Sequence, residues 1–346
     1  MVSALVAAPV AVGSLGRVPL GLLSDRYGGK RVFAVVCMLS ALAVTGLAEA
    51  STVSQLFVAA VALGVAGASF AAGVPFVNAW FPKNQRGFAL GIYALGNAGT
   101  AISGLLTPRL ADGIGRDHVF LLVAALSLIA GVAMWRFGQE SPSWQRSRGN
   151  SLHRLRSAFG WELTWRLGML YAITFGAFVA LGLYLPVLLN QSYGLAPTDA
   201  AARAAGFVLL ATFVRPIGGW LSDRLSGLTV IRTVFLIMSV LAVVAACRPG
   251  LAPFGTIAYL GLAVALGIGN GAIFAVIGHR CPANMVGTVT GLVGAAGGLG
   301  GYFPPLIMGL SYQISGSYAP ALGLLAVASL VLFFSLRHLF GFSARY

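Results

Sequence analysis

The 346-residue chain is poor in acidic residues and in charge of any kind. Asp and Glu number 8 against 22 Lys and Arg, and charged residues make up 9% of the chain. Soluble domains carry about a quarter charged residues, so a soluble enzyme of this length is excluded. Disorder is excluded too, because 58% of the residues are hydrophobic and disordered chains need low hydrophobicity.

Residues that bind metals or form disulfides are also scarce. The three cysteines are isolated and odd in number, and the four histidines lie near the ends of apolar segments without metal-ligand spacing. No Ser/His/Asp constellation or phosphate-binding loop is apparent, so neither an enzyme nor a cofactor is expected. A nucleic-acid-binding protein could carry the net charge of +14, but not the mean hydropathy of +0.89. What remains is a polytopic helical membrane protein.

Long apolar runs dominate the chain. About 20 residues in a helix cross the roughly 30 Å hydrocarbon core of a bilayer. Eleven runs meet this length and predict an all-α membrane protein with eleven spans: 1–23, 32–50, 55–81, 88–110, 118–136, 164–190, 200–221, 231–248, 254–278, 285–312 and 318–337. The 46 glycines fit close helix packing in lipid.

The basic residues predict the orientation of these spans. Sixteen of them, Arg148 and Arg345 included, lie in loops after odd-numbered spans or in the C-terminal tail, against four on the opposite side. Because cytoplasmic loops carry the excess of Lys and Arg, we expect a cytoplasmic C-terminus and residence in the cytoplasmic membrane. The longest polar stretch, 137–163, is then a cytoplasmic linker between half-bundles at 1–136 and 164–346.

The two halves repeat each other. The first contains Arg17, Gly21 and Ser24-Asp25-Arg26, and the second repeats this pattern 198 residues later as Arg215, Gly219 and Ser222-Asp223-Arg224. Gly87 and Gly91 likewise match Gly287 and Gly291. Several matches in one order indicate a duplicated bundle with two pseudo-symmetric halves. The span with Arg215 follows another span in its half, whereas the span with Arg17 does not, so the first half is expected to lack one helix.

Three segments carry a resemblance to a known family. The loop from Ser24 to Arg31 resembles the loop signature of the major facilitator superfamily. Phe70 to Pro82, continued by Gly87–Gly91 and Gly96-Asn97-Ala98-Gly99, resembles the nitrate signature of the nitrate/nitrite porters, and 267–301 resembles its second copy. The resemblance covers essentially the whole chain and implies the superfamily's fold, normally of twelve spans.

Two arginines lie inside predicted spans, where a charge costs several kcal/mol and normally faces a polar pathway. Arg17 and Arg215 occupy equivalent repeat positions, and no Asp or Glu lies at comparable depth. This pair predicts a mobile anion as partner. A planar guanidinium can donate two parallel hydrogen bonds to an oxyanion such as nitrate. The alternative is that each Arg snorkels or caps the adjacent helix end.

The resemblance implies further roles. It places Arg17 and Arg215 at the nitrate site, with Phe70, Tyr171 and Phe175 as aromatic residues that sandwich the anion and Asn97 as a polar neighbour. Core packing explains Tyr171 and Phe175 about as well. A buried amide must find partners, which makes Asn270 another substrate-binding candidate.

Conformational change is assigned to two sets of residues. The glycines are interpreted as packing and hinge positions: Gly91, Gly96, Gly99, Gly291, Gly297 and Gly298. The two Ser-Asp-Arg loops are interpreted as cytoplasmic latches, in which the aspartates pair with helix N-termini or arginines in one state: Asp25, Arg26, Asp223 and Arg224. Ordinary topology-setting charge is the alternative for these loops.

These features together predict a monomeric secondary transporter that moves nitrate, and nitrite, by alternating access. Nitrate import by proton symport is favoured over nitrate/nitrite exchange, although span centres hold no carboxylate or histidine as an obvious proton carrier. The expected partners are the anion, the lipid bilayer and, for symport, protons, with no nucleic acid. A non-transporting anion sensor or scaffold, and a facilitator for another small anion, are the alternatives.

Overall fold

The computed structural model describes residues 2–147 and 150–339, and this part of the chain contains helices and no strand. The predicted all-α class is therefore confirmed for the described residues. Arg148 and Arg345, two of the arginines that predict the orientation, lie outside them, as does Met1 at the start of the first predicted span.

Seventeen α-helices occur in the described ranges. Those before the end of the linker are α1 Val2–Leu15, α2 Arg17–Tyr27, α3 Gly29–Glu49, α4 Val53–Gly67, α5 Phe70–Trp80, α6 Arg86–Tyr93, α7 Ala98–Ile114, α8 Arg116–Phe137 and α9 Ser151–Gly160. Those after it are α10 Glu162–Tyr193, α11 Pro197–Phe213, α12 Arg215–Arg224, α13 Gly227–Ala246, α14 Thr256–Arg280, α15 Val286–Gly300, α16 Phe303–Ser315 and α17 Ala319–Leu339. Short 3-10 turns precede α6 and α7, and a short π-type turn precedes α14.

Nine helical segments in the described part of the chain are long and apolar enough to cross a membrane. They match all the predicted spans except 1–23 and 285–312. Each of those two runs is built from a pair of shorter helices, α1 with α2 and α15 with α16. The second interruption has a local cause, because Pro304 and Pro305 lack the N–H groups that would continue α15.

The chain forms two compact units, and each takes residues from both sides of the linker. The first unit comprises Met1–Pro82, Ile102–Gly168 and Arg280–Gly298, and α3 packs in it along α4 and α8. The second comprises Lys83–Ala101, Met169–His279 and Leu299–Tyr346, and α13 packs in it along α17. The start of α15 thus packs with the first half of the sequence, and α6 packs with the second. Division into half-bundles at the linker remains a prediction.

Glycines allow helix backbones to touch inside each unit. In the second unit, a Cβ on Gly219 of α12 would lie 1.9 Å from the carbonyl oxygen of Gly87, at the start of α6. In the first unit, a Cβ on Gly21 of α2 would lie 2.1 Å from the carbonyl oxygen of Gly287. Backbone atoms cannot yield to a methyl group without moving a helix. Both helix pairs therefore depend on glycine at these positions.

We expect Gly219→Ala to lower the apparent melting temperature of the protein in lipid nanodiscs, with a loss of about 2 kcal/mol, because overpacking at a backbone contact typically costs 1–3 kcal/mol. Gly99→Ala is the matched control, since nothing lies within 4 Å of a Cβ built there. Equal melting temperatures for the two variants would contradict the proposed role of the contact.

Candidate functional site

Three of the candidate residues lie where a helix is interrupted. Arg17 is the first residue of α2, Phe70 of α5 and Arg215 of α12. Each interruption falls within a run that the sequence predicts to span the membrane, where freed backbone groups must be satisfied inside the protein. The two repeat-related arginines thus share a position at a helix start as well as a residue type.

Arg215 is buried in the second unit and only 1% exposed. Its guanidinium carbon lies 5.1 Å from the centroid of the Phe178 ring, as in a cation–π contact. Its Nε and Nη2 atoms have no hydrogen-bond partner among the described residues. A buried charge normally requires a paired acceptor. Arg215 therefore offers two donors to an anionic ligand.

A series of aromatic rings leads to this guanidinium. Tyr171 and Phe175 of α10 stack with their centroids 5.1 Å apart, and Phe175 lies 5.9 Å from Phe178. Tyr171 also contacts Phe274 of α14, with the ring centroids 4.9 Å apart and the rings nearly perpendicular. The structure thus connects the predicted Tyr171 and Phe175 to Arg215 through Phe178.

Sequence reasoning missed two of these rings, although each had a signal. Phe178 follows Phe175 by three residues, so both lie on one face of α10. Phe274 is the repeat counterpart of Phe70. Neither signal was sufficient without the partner helix.

The two predicted amides differ in their surroundings. Asn270 on α14 is 1% exposed, and both side-chain polar atoms lack hydrogen-bond partners among the described residues. The next residue, Gly271, brings α14 against α12, because its Cβ would lie 2.2 Å from the carbonyl oxygen of Arg215. Asn97 instead donates from Nδ2 to the carbonyl oxygen of Ala94 at 3.0 Å and so stabilises its own 3-10 turn. Asn270 is the amide that has polar capacity to offer a ligand.

Arg17 and Phe70 belong to the first unit. Arg17 donates from Nη1 to the carbonyl oxygen of Gly294 at 2.5 Å and from Nε to that of Gly67 at 3.4 Å. Gly291 allows this approach, since its Cβ would lie 2.5 Å from the carbonyl oxygen of Arg17. The repeat-related arginines therefore differ: Arg17 bonds to backbone carbonyls, whereas Arg215 keeps two donors without a partner among the described residues.

Asp25 binds the N-terminus of α15 in the first unit. Its carboxylate accepts from the backbone N–H of Gly287 at 2.8 Å and of Thr288 at 2.7 Å, and from the Thr288 hydroxyl at 2.6 Å. These two N–H groups have no partner within α15 itself. Asp25 lies beyond the predicted first span. Burial raises the pKa of its carboxyl to about 6. The hydrogen bonds from Thr288 and Gly287 and the charge of Arg154 act in the opposite direction and lower this pKa.

Asp223 makes the equivalent contact in the second unit. Its Oδ1 accepts from the backbone N–H of Gly87 and its Oδ2 from that of Phe88, both at 2.8 Å, at the start of α6. Each aspartate thus pairs with a helix N-terminus from the other half of the sequence. Arg26 and Arg224 are exposed and lean on the rings of Tyr27 and Trp220. The latch role of all four residues stays a prediction.

The predicted hinge glycines fall into different surroundings. Gly91 and Gly298 permit close contacts, since a Cβ would lie 2.5 Å from Cα of Pro216 and 2.3 Å from Oγ of Ser14, respectively. Gly96 and Gly99 have nothing within 4 Å of such an atom. Gly297 is buried within α15. The first two, like Gly291, are packing positions, whereas Gly96 and Gly99 are not required for space.

The class of protein follows from the fold and from comparison with known families. Residues 1–305 match the model of the Major Facilitator Superfamily, and the chain belongs to this family of membrane transporters. Human organic anion transporter MFSD10 superposes with a TM-score of 0.77 over 96% of this chain and 83% of that one, at 17% identity. Escherichia coli fucose:proton symporter FucP gives 0.78 over 97% and 90%, also at 17% identity. At such identities the likeness concerns the fold alone, and it confirms the predicted one.

Sequence relatives place the chain more narrowly. It is 41% identical to the probable nitrate/nitrite transporter NarK2 of Mycobacterium tuberculosis, over 95% of this chain and 84% of the relative. It is 35% identical to the nitrite extrusion protein of Bacillus subtilis, over 96% and 84%, and 36% identical to the probable nitrate transporter NarT of Staphylococcus haemolyticus, over 98% and 87%. Within the superfamily the chain groups with the nitrate/nitrite porters. It is a multi-pass membrane protein whose relatives are transporters and not enzymes.

The raised pKa of Asp25 predicts a pH dependence of stability. The buried carboxyl binds its proton more tightly than an exposed one, so its contribution to stability is full below about pH 4 and is lost as the pH rises through about 6. We expect the melting temperature in nanodiscs to fall over this interval, and Asp25→Asn to remove that part of the fall. Asp199→Asn, at an exposed ion pair with Arg203, is the control. A wild-type pH profile in Asp25→Asn would refute the assignment.

Proposed function

We propose that the protein carries nitrate, and nitrite, across the cytoplasmic membrane by alternating access, with Arg215 as a principal anion-binding residue. The observation that carries the proposal is the buried guanidinium of Arg215, whose Nε and Nη2 have no partner among the described residues. The names of the three sequence relatives support nitrate and nitrite as the ions.

The geometry of these two donors suits a planar oxyanion. The N–H of Nε and one N–H of Nη2 lie on the same edge of a guanidinium and point in parallel. Two oxygens of nitrate, separated by one nitrogen, match this edge and accept one bond each. Because the site excludes water, the attraction between the two charges is much stronger than in solution.

Neighbouring side chains complete the proposed site. Phe178 faces the guanidinium and restrains its plane. The rings of Tyr171 and Phe175 supply flat surfaces that exclude water from a small ion. The amide nitrogen of Asn270 has no partner among the described residues and can donate to a further anion oxygen. Arg17 and Phe70 keep the substrate-binding roles implied by the resemblance, and Asn97 the role of a polar neighbour, as predictions.

The helix-end contacts are the proposed gates. The pairing of Asp25 with α15 and of Asp223 with α6 joins residues from opposite halves of the sequence. Rocking of the halves requires such contacts to break and re-form once in each cycle. The exposed Arg26 and Arg224 are proposed to take part after the aspartates are released.

Coupling to protons is the favoured mode of transport. Import of an anion proceeds against the membrane potential, at about 2.3 kcal/mol per charge for each 100 mV, and needs co-transported cations. Nitrate/nitrite exchange is the second candidate, because the Bacillus subtilis relative is named for nitrite extrusion. Exchange of one monovalent anion for another moves no net charge.

We expect Arg215→Lys to reduce nitrate uptake into proteoliposomes at least tenfold, since an ammonium cannot make two parallel bonds to the anion. Arg17→Lys tests the repeat counterpart in the same assay. Arg203→Lys is the matched control, because Arg203 is exposed and pairs with Asp199. Undiminished uptake in Arg215→Lys would overturn the proposed anion site.

The mode of coupling is tested with wild-type protein in the same vesicles. Symport predicts that an inward proton gradient drives nitrate accumulation without internal anion. Exchange predicts uptake only when nitrite or nitrate is present inside, with no response to the gradient. The second pattern would contradict the favoured mode.

A further inference from the structure

A histidine joins one of the two helix-end contacts. His279, in the last turn of α14, has Nε2 2.8 Å from Oδ1 of Asp223. The same carboxylate oxygen accepts from the backbone N–H of Gly87 at 2.8 Å. The His279 side chain is 25% exposed and that of Asp223 is 4% exposed. The imidazole therefore links a buried carboxylate to solvent.

The repeat-related contact lacks this histidine. At Asp25 the third donor is the Thr288 hydroxyl, which does not titrate in the physiological range. Counted back from Pro82 and Pro282, the position of His279 is held by Ala79 in the first copy, where four more residues separate the proline from the Phe70/Phe274 position. An imidazole is thus specific to the contact that holds α6.

Protonation of this imidazole strengthens its bond to Asp223, the carboxylate that also holds the start of α6. A carboxylate only accepts, so the neutral ring carries its hydrogen on Nε2 and leaves Nδ1 to take a second proton. Histidine is the side chain that ordinarily changes charge between pH 5 and 8. The resulting imidazolium makes a charge-assisted hydrogen bond, about twice as strong as a neutral one.

Apart from Asp223, the charged side chains around this contact are basic. The surrounding helices and turns carry Arg224 on α12, Arg86 on α6, Lys83 in the preceding turn, Arg232 on α13 and Arg280 on the same helix as His279. Asp223 is thus the acidic partner of the imidazole, and it touches the ring directly. Arg86 donates to the carbonyl oxygen of Gly278 at 3.0 Å, next to the histidine. Arg224 lies over its own Trp220.

We propose that His279 is a positioning residue for Asp223, and that its protonation holds α6 against α12. Acidification of the compartment on the side of the Asp223–α6 contact then slows the opening of this contact. That compartment is predicted to be the cytoplasm. The inference concerns regulation of the cycle and does not depend on which anion is carried. It rests on the proposed gating role of Asp223 and on the geometry of the imidazole.

Hydrogen–deuterium exchange tests the contact itself. For protein in nanodiscs between pH 8 and pH 5.5, we expect the protection of peptide amides from 86–93, corrected for intrinsic rates, to rise roughly fivefold at the acidic end. In His279→Gln, whose amide donates without titrating, protection is expected to stay constant with pH. His118→Gln, at an exposed histidine, should behave like the wild type. The same response in His279→Gln as in the wild type, or no response in the wild type, would overturn the proposal.

Two further measurements separate this effect from other causes. Asp25→Asn should keep the pH response of the 86–93 peptide. Loss of the response in this variant would assign it to the contact of Asp25 with α15 instead. In proteoliposomes, His279→Gln should take up nitrate normally at pH 8. Acidifying the side of the Asp223–α6 contact to pH 5.5 should slow uptake by the wild type but not by this variant. Failure of the anion site is read from Arg215→Lys uptake alone, whereas exchange in the 86–93 peptide reports on His279 even without transport.

Discussion

The close approach of α12 to α6 and α14 is the contact on which the candidate site depends. Glycine on each partner makes it possible: Gly91 of α6 and Gly271 of α14 both lie against the backbone at Arg215 and Pro216. A side chain at either position would force α12 or its partner helix to move. With α12 in place, the guanidinium of Arg215 is enclosed next to Phe178, and its charge is removed from water.

The proposed chemistry rests on the buried charge of Arg215, of which two donors have no partner among the described residues. A carboxylate beside Arg215 would neutralise it and leave nothing for a ligand, and the low acid content of the chain is consistent with this need. The neighbouring Asn270 is likewise buried with unused hydrogen-bonding atoms. Both side chains pay a desolvation cost that an anion in the site would offset. Under the proposed function, the paired donors and the flat rings select for a small planar ion.

The duplication gives each half of the sequence an aspartate that binds a helix N-terminus, and the two copies of this contact differ in detail. Asp25 and Asp223 each accept from two N–H groups at the start of a helix, with nearly the same distances. The third donor is a threonine hydroxyl in one copy and a histidine in the other. The arginines differ as well, since Arg17 donates to two backbone carbonyls. Residues that look equivalent in the repeat therefore have different partners in the fold.

The amino-acid sequence by itself determined the helical membrane class, nine of the eleven spans, the duplication and the membership of a transporter family. Hydropathy, charge and repeated motifs can all be read from the order of the residues without knowing which of them meet in space. It also singled out Arg215 and Asn270 as candidate site residues, since a charge or an amide within an apolar run is visible without coordinates. Only the tertiary structure decided that Phe178 faces Arg215, that Asn97 bonds within its own turn, and that His279 touches Asp223. These contacts join residues brought together by helix packing or local backbone geometry, and hydropathy and repeated motifs do not specify which side chains meet.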